Sequence, residues 1–239
     1  MKLTVLGMNG PFPAPDGATS GYLLESGDTR VQLDLGCGTL AELTKRMPPE
    51  ELDALVLSHW HSDHCSDALP LLYRLQSRAK KPLEVYGPED SASPVRAALA
   101  ADPAIRLHTI APGDTLCIGA LRLTVGQARH PVPAVTERWE DNAHTLFFTG
   151  DTNTVPGLAE GCRGADLLLA DGLFPAEMWA EGKPHLSAVL CAELARDAGC
   201  RALLLTHMNP DLDAEAILAE AREIYPEAML ACPGFVWQA

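Results

Sequence analysis

The chain has 239 residues, 47% of them hydrophobic, and a formal net charge of −14. That length and apolar content support a sizeable buried core and exclude general disorder. No apolar run approaches the roughly 18 residues needed to cross a bilayer, and the acidic balance argues against a polyanion binder, which needs a basic face.

Lys2–Leu6, Gly21–Glu25 and Arg30–Leu35 are apolar or alternating runs bounded by Gly, Pro, Asp and Ser, and are predicted strands. The first apolar run gives way to Gly and Pro too early for a secretory signal, which predicts a cytoplasmic protein. Thr39–Met47 reads as a short helix closed by Pro48 and Pro49. Ala54–Leu57 is a short apolar run of the kind buried on both faces. Ser66 is the expected N-cap of a helix reaching about Ala79. Within it, Arg74 and Arg78, with Lys80 and Lys81 beyond, form the one modest basic cluster and read as a solvated helix face.

Further strands are predicted at Leu83–Tyr86, Leu121–Gly126, Thr145–Thr149 and Asp166–Ala170. Ser187 caps a helix through Ala198, with Gly199 as its stop. Ala202–Thr206 is a buried strand, Asp213–Ile224 a helix ended by Pro226, and Ala228–Ala231 a last strand. With no low-complexity linker or close repeat, residues 1–239 are expected to form one domain of mixed sheets flanked by helices.

Polar residues follow the strands in a consistent way: Asp34, His59, His130, Asp151, Asp171 and His207. Strand ends aim such side chains into a common crevice. The segment Ser58-His59-Trp60-His61-Ser62-Asp63-His64 contains His-x-His-x-Asp-His, and imidazole with carboxylate suits zinc, manganese or iron. On an extended segment the rings of His59 and His61 turn the same way. Asp63 and His64, where the chain turns into the next helix, can face a second ion. Taken singly, His130 and His207 could be satisfied core residues, and Asp151 could be turn chemistry. Seven cysteines, widely spaced and without a CxxC pair, argue against a disulfide framework. Cys65, directly after His64, is the one thiol placed to reach a metal.

This His-x-His-x-Asp-His after a buried strand resembles the signature of the metallo-β-lactamase fold superfamily. The supporting pieces occur in the same order: Leu33-Asp34-Leu35-Gly36, Ala128-Arg129-His130-Pro131, Phe148-Thr149-Gly150-Asp151-Thr152 and Leu205-Thr206-His207. The resemblance covers roughly Leu3 to Pro233. It implies an α/β four-layer αββα sandwich with the metals at one edge of the two central sheets. It puts His59, His61 and His130 on one ion, Asp63, His64 and His207 on a second, and Asp151 between them, leaving a position for water. Asp34 and Asp171 are better read as carboxylates that orient ligand imidazoles. His108 and His144 lie in or beside ordinary strand patterns and read as structural.

His185, in Lys183-Pro184-His185-Leu186-Ser187, resembles an element of the ribonuclease Z-like branch that stabilises the reacting oxygen or protonates the leaving group. Asp63 is a further catalytic candidate, as the group that orients the attacking water. The branch implies a hydrolase that activates water on two zinc ions, manganese or iron being alternatives, with a small phosphodiester as substrate. A lactone or carboxylic ester is the second reading, and a di-iron redox or non-hydrolytic metal-binding protein the third. Branch members are commonly homodimers, so a dimer is expected. Pro11–Ser20 carries no Arg, no long Gly/Pro-rich arm interrupts the chain, and Ala170-Asp171-Gly172-Leu173 replaces the His-Glu-Ala-Thr element of ribonuclease Z. Structured tRNA is therefore not the expected partner, and neither is a membrane. Between Asp171 and His185, a Pro- and Gly-marked stretch carrying Leu173, Phe174, Met178 and Trp179 reads as either core packing or a wall over the metals.

Overall fold

The short apolar runs become strands whose two faces look into different cores. In the strand Ala54–Val56, Ala54 and Val56 face one apolar cluster while Leu55 faces another. The same alternation separates Leu167 and Leu169 from Leu168 and Ala170, and Leu204 from Leu203 and Leu205. A strand period of two produces this split, and it forces layers on either side of each sheet. Truncating Leu204 to Ala would cost about 2–5 kcal/mol, since its side chain is fully buried.

The computed structural model describes residues 1–239. Its strands are β1 (Lys2–Gly7), β2 (Gly21–Ser26), β3 (Thr29–Leu35), β4 (Ala54–Val56), β5 (Leu83–Gly87), β6 (Ile105–Thr109) and β7 (Thr115–Ile118). They continue as β8 (Leu121–Gln127), β9 (Val135–Glu140), β10 (Thr145–Phe148), β11 (Leu167–Asp171), β12 (Leu203–Thr206), β13 (Met229–Leu230) and β14 (Val236–Gln238). The helices are α1 (Thr39–Thr44), α2 (Ser62–Cys65), α3 (Ala68–Arg78), α4 (Pro94–Ala100), α5 (Leu158–Gly161), α6 (Ala188–Ala198) and α7 (Ala214–Arg222).

Two seven-stranded sheets result, ordered β14-β1-β2-β3-β4-β5-β6 and β13-β12-β11-β10-β9-β8-β7. Each is antiparallel at one end and parallel at the other; β3 to β6 and β10 to β13 are the parallel parts. One core lies between the sheets around Tyr22, Trp139 and Phe148. A second packs Leu43, Leu71, Leu75 and Leu99 of α1, α3 and α4 on the first sheet. A third packs α5, α6 and α7 on the other sheet. The architecture is thus the expected α/β four-layer αββα sandwich of the metallo-β-lactamase fold. No helix is long and apolar enough to cross a membrane.

The predicted caps of α6 and α7 are present. Ser187 Oγ accepts from Leu190 N–H at 3.2 Å, Gly199 ends α6 at φ 66, and Asp213 accepts from Glu215 and Ala216. Ser66 does not cap α3. One turn of helix, α2, leads into it, so the amide of Ser66 is already bonded to Ser62 O. The N-cap position falls to Asp67, whose carboxylate accepts from Leu40 N–H at 2.9 Å and ties α1 to α3. The first helix stops at Thr44, short of the expected Met47. Seven elements, α2, α4, α5, β6, β7, β9 and β14, are absent from the sequence reading. In β9 the cause is physical: Glu137 shares the inward face with Val135 and Trp139, so the charge that disguises the strand is itself buried.

Candidate metal centre

The residues just beyond β4, β8, β10 and β12 converge on one edge of the sandwich. Two groups of ligand atoms, each within 4.8 Å of one another, gather all seven residues that the resemblance assigns to metal: His59, His61 and His130 in one, Asp63, His64, Asp151 and His207 in the other. A third group joins Asp151 and His207 to Asp171 and His185.

In the first group, His59 Nε2 and His130 Nε2 lie 3.1 and 3.0 Å from His61 Nδ1. In the second, His207 Nε2 is 3.2 Å from both Asp63 Oδ2 and Asp151 Oδ2, and His64 Nε2 is 3.2 Å from Asp151 Oδ1. Asp151 Oδ2 also lies 3.7 Å from His59 Nε2, so this one carboxylate touches both groups. His64 Nε2 is buried without a hydrogen-bond partner. An orphaned buried nitrogen costs about 1–3 kcal/mol, and a divalent cation between it and the two carboxylates removes that cost. Imidazole nitrogens and carboxylate oxygens are the donors that zinc takes, so the residues fit such ions.

A shell of hydrogen bonds aims these side chains. His64 Nδ1 donates to Asp34 Oδ2 at 2.7 Å, and Ser58 fixes Asp34 through its amide and its hydroxyl at 2.8 and 2.9 Å. With its proton held on Nδ1, His64 turns Nε2 toward the carboxylates. His130 Nδ1 approaches Pro184 O at 3.4 Å. Asp171 accepts from His185 Nδ1 at 2.7 Å and lies 3.7 Å from His207 Nδ1. Both Asp34 and His207 are left-handed, at φ 50 and 60. Non-glycine residues hold that conformation at a cost of roughly 1–2 kcal/mol, which surrounding contacts must offset. Gly10 supplies one such contact: a Cβ there would fall 2.1 Å from the His207 ring.

The electrostatics of the two groups differ in sign. Burial pushes His59 and His130 below the usual imidazole range, and the neighbouring imidazoles push the same way. Burial also opposes charge on His64 and His207, but Asp151, with Asp34 and Asp63 on His64 and Asp63 on His207, outweighs it. His64 is raised well above its usual value and His207 to about 10. Asp63 and Asp151 are correspondingly lowered despite their burial. His185 is raised, its burial overcome by Asp171.

Cys65 does not join these groups. Its Sγ donates to Trp60 O at 3.4 Å, and burial pushes the thiol up to about 12. In the segment before His185, Leu173 is buried, whereas the Phe174 ring meets His185 edge-on at 5.7 Å and Met178 is exposed. Sequence reasoning missed Ser58 as a partner of Asp34, and it missed Gly10. A Ser directly before the first ligand His was the available signal for the former. Nothing local marks the latter, whose role comes from a contact 197 residues away in the chain.

Residues 29–208 match the family described as "Beta-lactamase superfamily domain". The chain is 32% identical to the probable metallo-hydrolase YhfI of Bacillus subtilis over 100% of both chains. The crystal structure of that protein superposes with a TM-score of 0.94 at 31% identity, covering 100% of this chain and 99% of that one. Ribonuclease Z of Methanopyrus kandleri is 27% identical across 99% of this chain and 97% of its own length. The crystal structure of human tRNase Z, short form, shares the fold at a TM-score of 0.83 and 19% identity, over 100% and 99% of the two chains.

Proposed function

The chain belongs to the beta-lactamase superfamily, and on that premise we propose that it is a dinuclear zinc hydrolase acting on a small, nucleotide-like phosphodiester, with residues 1–239 as one domain. The observation that carries this reading is the shared carboxylate, Asp151, within 3.7 Å of His59, 3.2 Å of His64 and 3.2 Å of His207. His59, His61 and His130 would hold one ion, Asp63, His64 and His207 the other, and Asp151 both. Such ions, when bound, lower the pKa of water toward 7 and so supply a nucleophile at neutral pH.

The chain's own residues do the rest. Asp63, besides its place among the ligands, can accept a hydrogen bond from the attacking water and set its direction. Asp171 holds the Nδ1 proton of His185, which leaves Nε2 to face the reacting group. With its pKa raised, His185 keeps a second proton on Nε2 to give to the leaving oxygen. The names of the two ribonuclease relatives support phosphodiester chemistry, because that is the linkage of RNA. The net charge of −14 supports a small substrate over structured tRNA. Seven unpaired cysteines suit a cytoplasmic location. A homodimer is part of the proposal, and a sedimentation mass near 25.6 kDa across micromolar concentrations would remove it.

The test is metal analysis of protein purified without added metal, followed by turnover of bis-p-nitrophenyl phosphate, an aromatic lactone and an aryl sulfate. Two zinc ions per chain and preferential turnover of the diester are expected. Iron in place of zinc would overturn the metal assignment, and turnover of the lactone alone would overturn the substrate class.

A further inference from the structure

A cavity of about 300 Å³ adjoins the centre and shares His130 with it. Its charged lining is Arg129, Lys183 and Glu181. Eleven of the eighteen Lys and Arg side chains pair with carboxylates, and Arg129 and Lys183 are among the seven that do not. The Arg129 guanidinium has a single protein partner, Thr154 Oγ1 at 3.3 Å. The Lys183 ammonium bonds Met178 O and sits 4.4 Å over the Phe174 ring.

The two cations are held in place together. Asn153 is fully buried, two residues after Asp151. Its side-chain amide donates to Ala180 O, Glu181 O and Lys183 O at 3.1, 3.4 and 2.7 Å, and its backbone N–H donates to Arg129 O at 3.1 Å. Thr152 Oγ1 accepts from Arg129 N–H at 2.9 Å. One polar knot, continuous with the strand end that carries Asp151, therefore fixes both cation-bearing loops relative to the metal centre. The two loops so fixed present a guanidinium and an ammonium without carboxylate partners to one cavity beside the metal centre, and these are the groups that recognise phosphate.

We propose that the cavity between Arg129 and Lys183 is a second anion subsite, which seats a phosphate of the substrate other than the one attacked at the metals. This rests on the phosphodiesterase reading only for what happens next door. The substrate class narrows accordingly, from any small phosphodiester to one that carries a further phosphate across a sugar from the scissile bond.

The experiment compares two esters that differ by one group: thymidine 5′-(p-nitrophenyl phosphate) with and without a 3′-phosphate. Alongside, calorimetry on the metal-loaded full chain compares binding of thymidine 3′,5′-bisphosphate and thymidine 5′-monophosphate. The wild-type protein should favour the 3′-phosphorylated member by about tenfold or more in kcat/KM and in Kd, the gain expected for charged hydrogen bonds. The advantage in Kd should shrink with added salt. In the double variant Arg129→Ala, Lys183→Ala the ratio should fall to within about twofold, whereas Arg129→Lys, Lys183→Arg should keep most of it. Glu181→Gln should enlarge it. Equal handling of both members by the wild-type protein, or a preference that survives the double alanine variant, overturns the subsite. Selective binding of the bisphosphate with no hydrolysis of either ester supports the subsite and removes the phosphodiesterase reading instead.

Discussion

The His59–His61–His130 group is made of three imidazoles, of which only His59 is buried; in the Asp63–His64–Asp151–His207 group every side chain is buried and two are carboxylates. The first holds no carboxylate and is half open to solvent. The second is anionic and closed, and burying carboxylates demands counter-charge. Without metal that charge comes from protons on His64 and His207, which is why their pKa values are raised. The contrast teaches that two ions in one site need not be equivalent. On the dinuclear proposal, an ion held by the open group would exchange with solvent more readily, whereas one held by the closed group would take the place of protons.

The largest expected effect breaks the contrast altogether. Asp151→Ala removes the carboxylate common to both groups, so metal content should fall by at least one ion per chain and hydrolysis should drop to background. Two ions retained with full activity would refute the assignment. His130→Ala should instead empty the open group alone, which mass spectrometry under native conditions can count.

His185→Gln comes next, with an expected loss of about 10²–10⁴ in kcat. Its wild-type pKa is raised, so activity that needs its second proton should decline as pH rises through a value above the ordinary 6.5 or so. The variant should lack that alkaline limb, and a pH profile of unchanged shape would return His185 to a packing role.

Asp34→Ala sharpens the comparison, because Asp34 bonds the closed group directly through His64 and reaches the open group only through Ser58, whose hydroxyl meets His59 Nδ1 at 3.1 Å. Affinity for the closed group's ion should weaken about 10–100-fold, with a smaller effect on the open group in a competitive chelator titration. The closed group's affinity should also fall with decreasing pH, as protons compete for His64 and His207. In metal-free protein the same raised imidazoles stabilise the fold fully below about pH 6.5. That contribution fades as pH climbs through the folded values, about 10 for His207.

Glu137→Gln has the smallest effect and should leave both ions alone. Burial raises this carboxyl well above its usual range, with Asp34 adding to the effect. A raised carboxyl contributes stability that is complete below about pH 4.3 and is lost as pH rises through the folded value. The variant keeps an oxygen for the Trp139 N–H, which donates to Glu137 at 2.8 Å. Its Tm should therefore gain on the wild-type protein with rising pH; a constant difference would mean that Glu137 is not the titrating group.

Much of this site is legible in the residue order because chemistry and folding coincide there. His59 to His64 pack four candidate ligands into six positions, and His130, Asp151 and His207 each follow an apolar run that reads as a strand. Caps written in one residue, such as Ser187 and Gly199, are legible for the same reason. What stays hidden depends on partners far along the chain. Ser66 loses its expected capping role because α2 precedes it, and Asp67, at the N-cap position instead, turns its carboxylate to Leu40 N–H. β9 hides behind a buried Glu137, and β14 is three residues that become a strand only against β1. Arg129 and Lys183 look like ordinary surface charges until Asn153 brings their loops together.

Asp63 and His207 meet at 3.2 Å although 144 residues separate them. On a ribosome adding about 5–20 residues per second, the His59–His64 run emerges roughly 7 to 30 seconds before its last partner exists. During that interval the nascent segment is a flexible, incomplete chelator, able to hold a passing ion weakly and in the wrong geometry. His207 reaches the group from the end of β12, which pairs with β11 along Leu168–Asp171. The closed group is complete only once His207 takes its left-handed turn against Gly10.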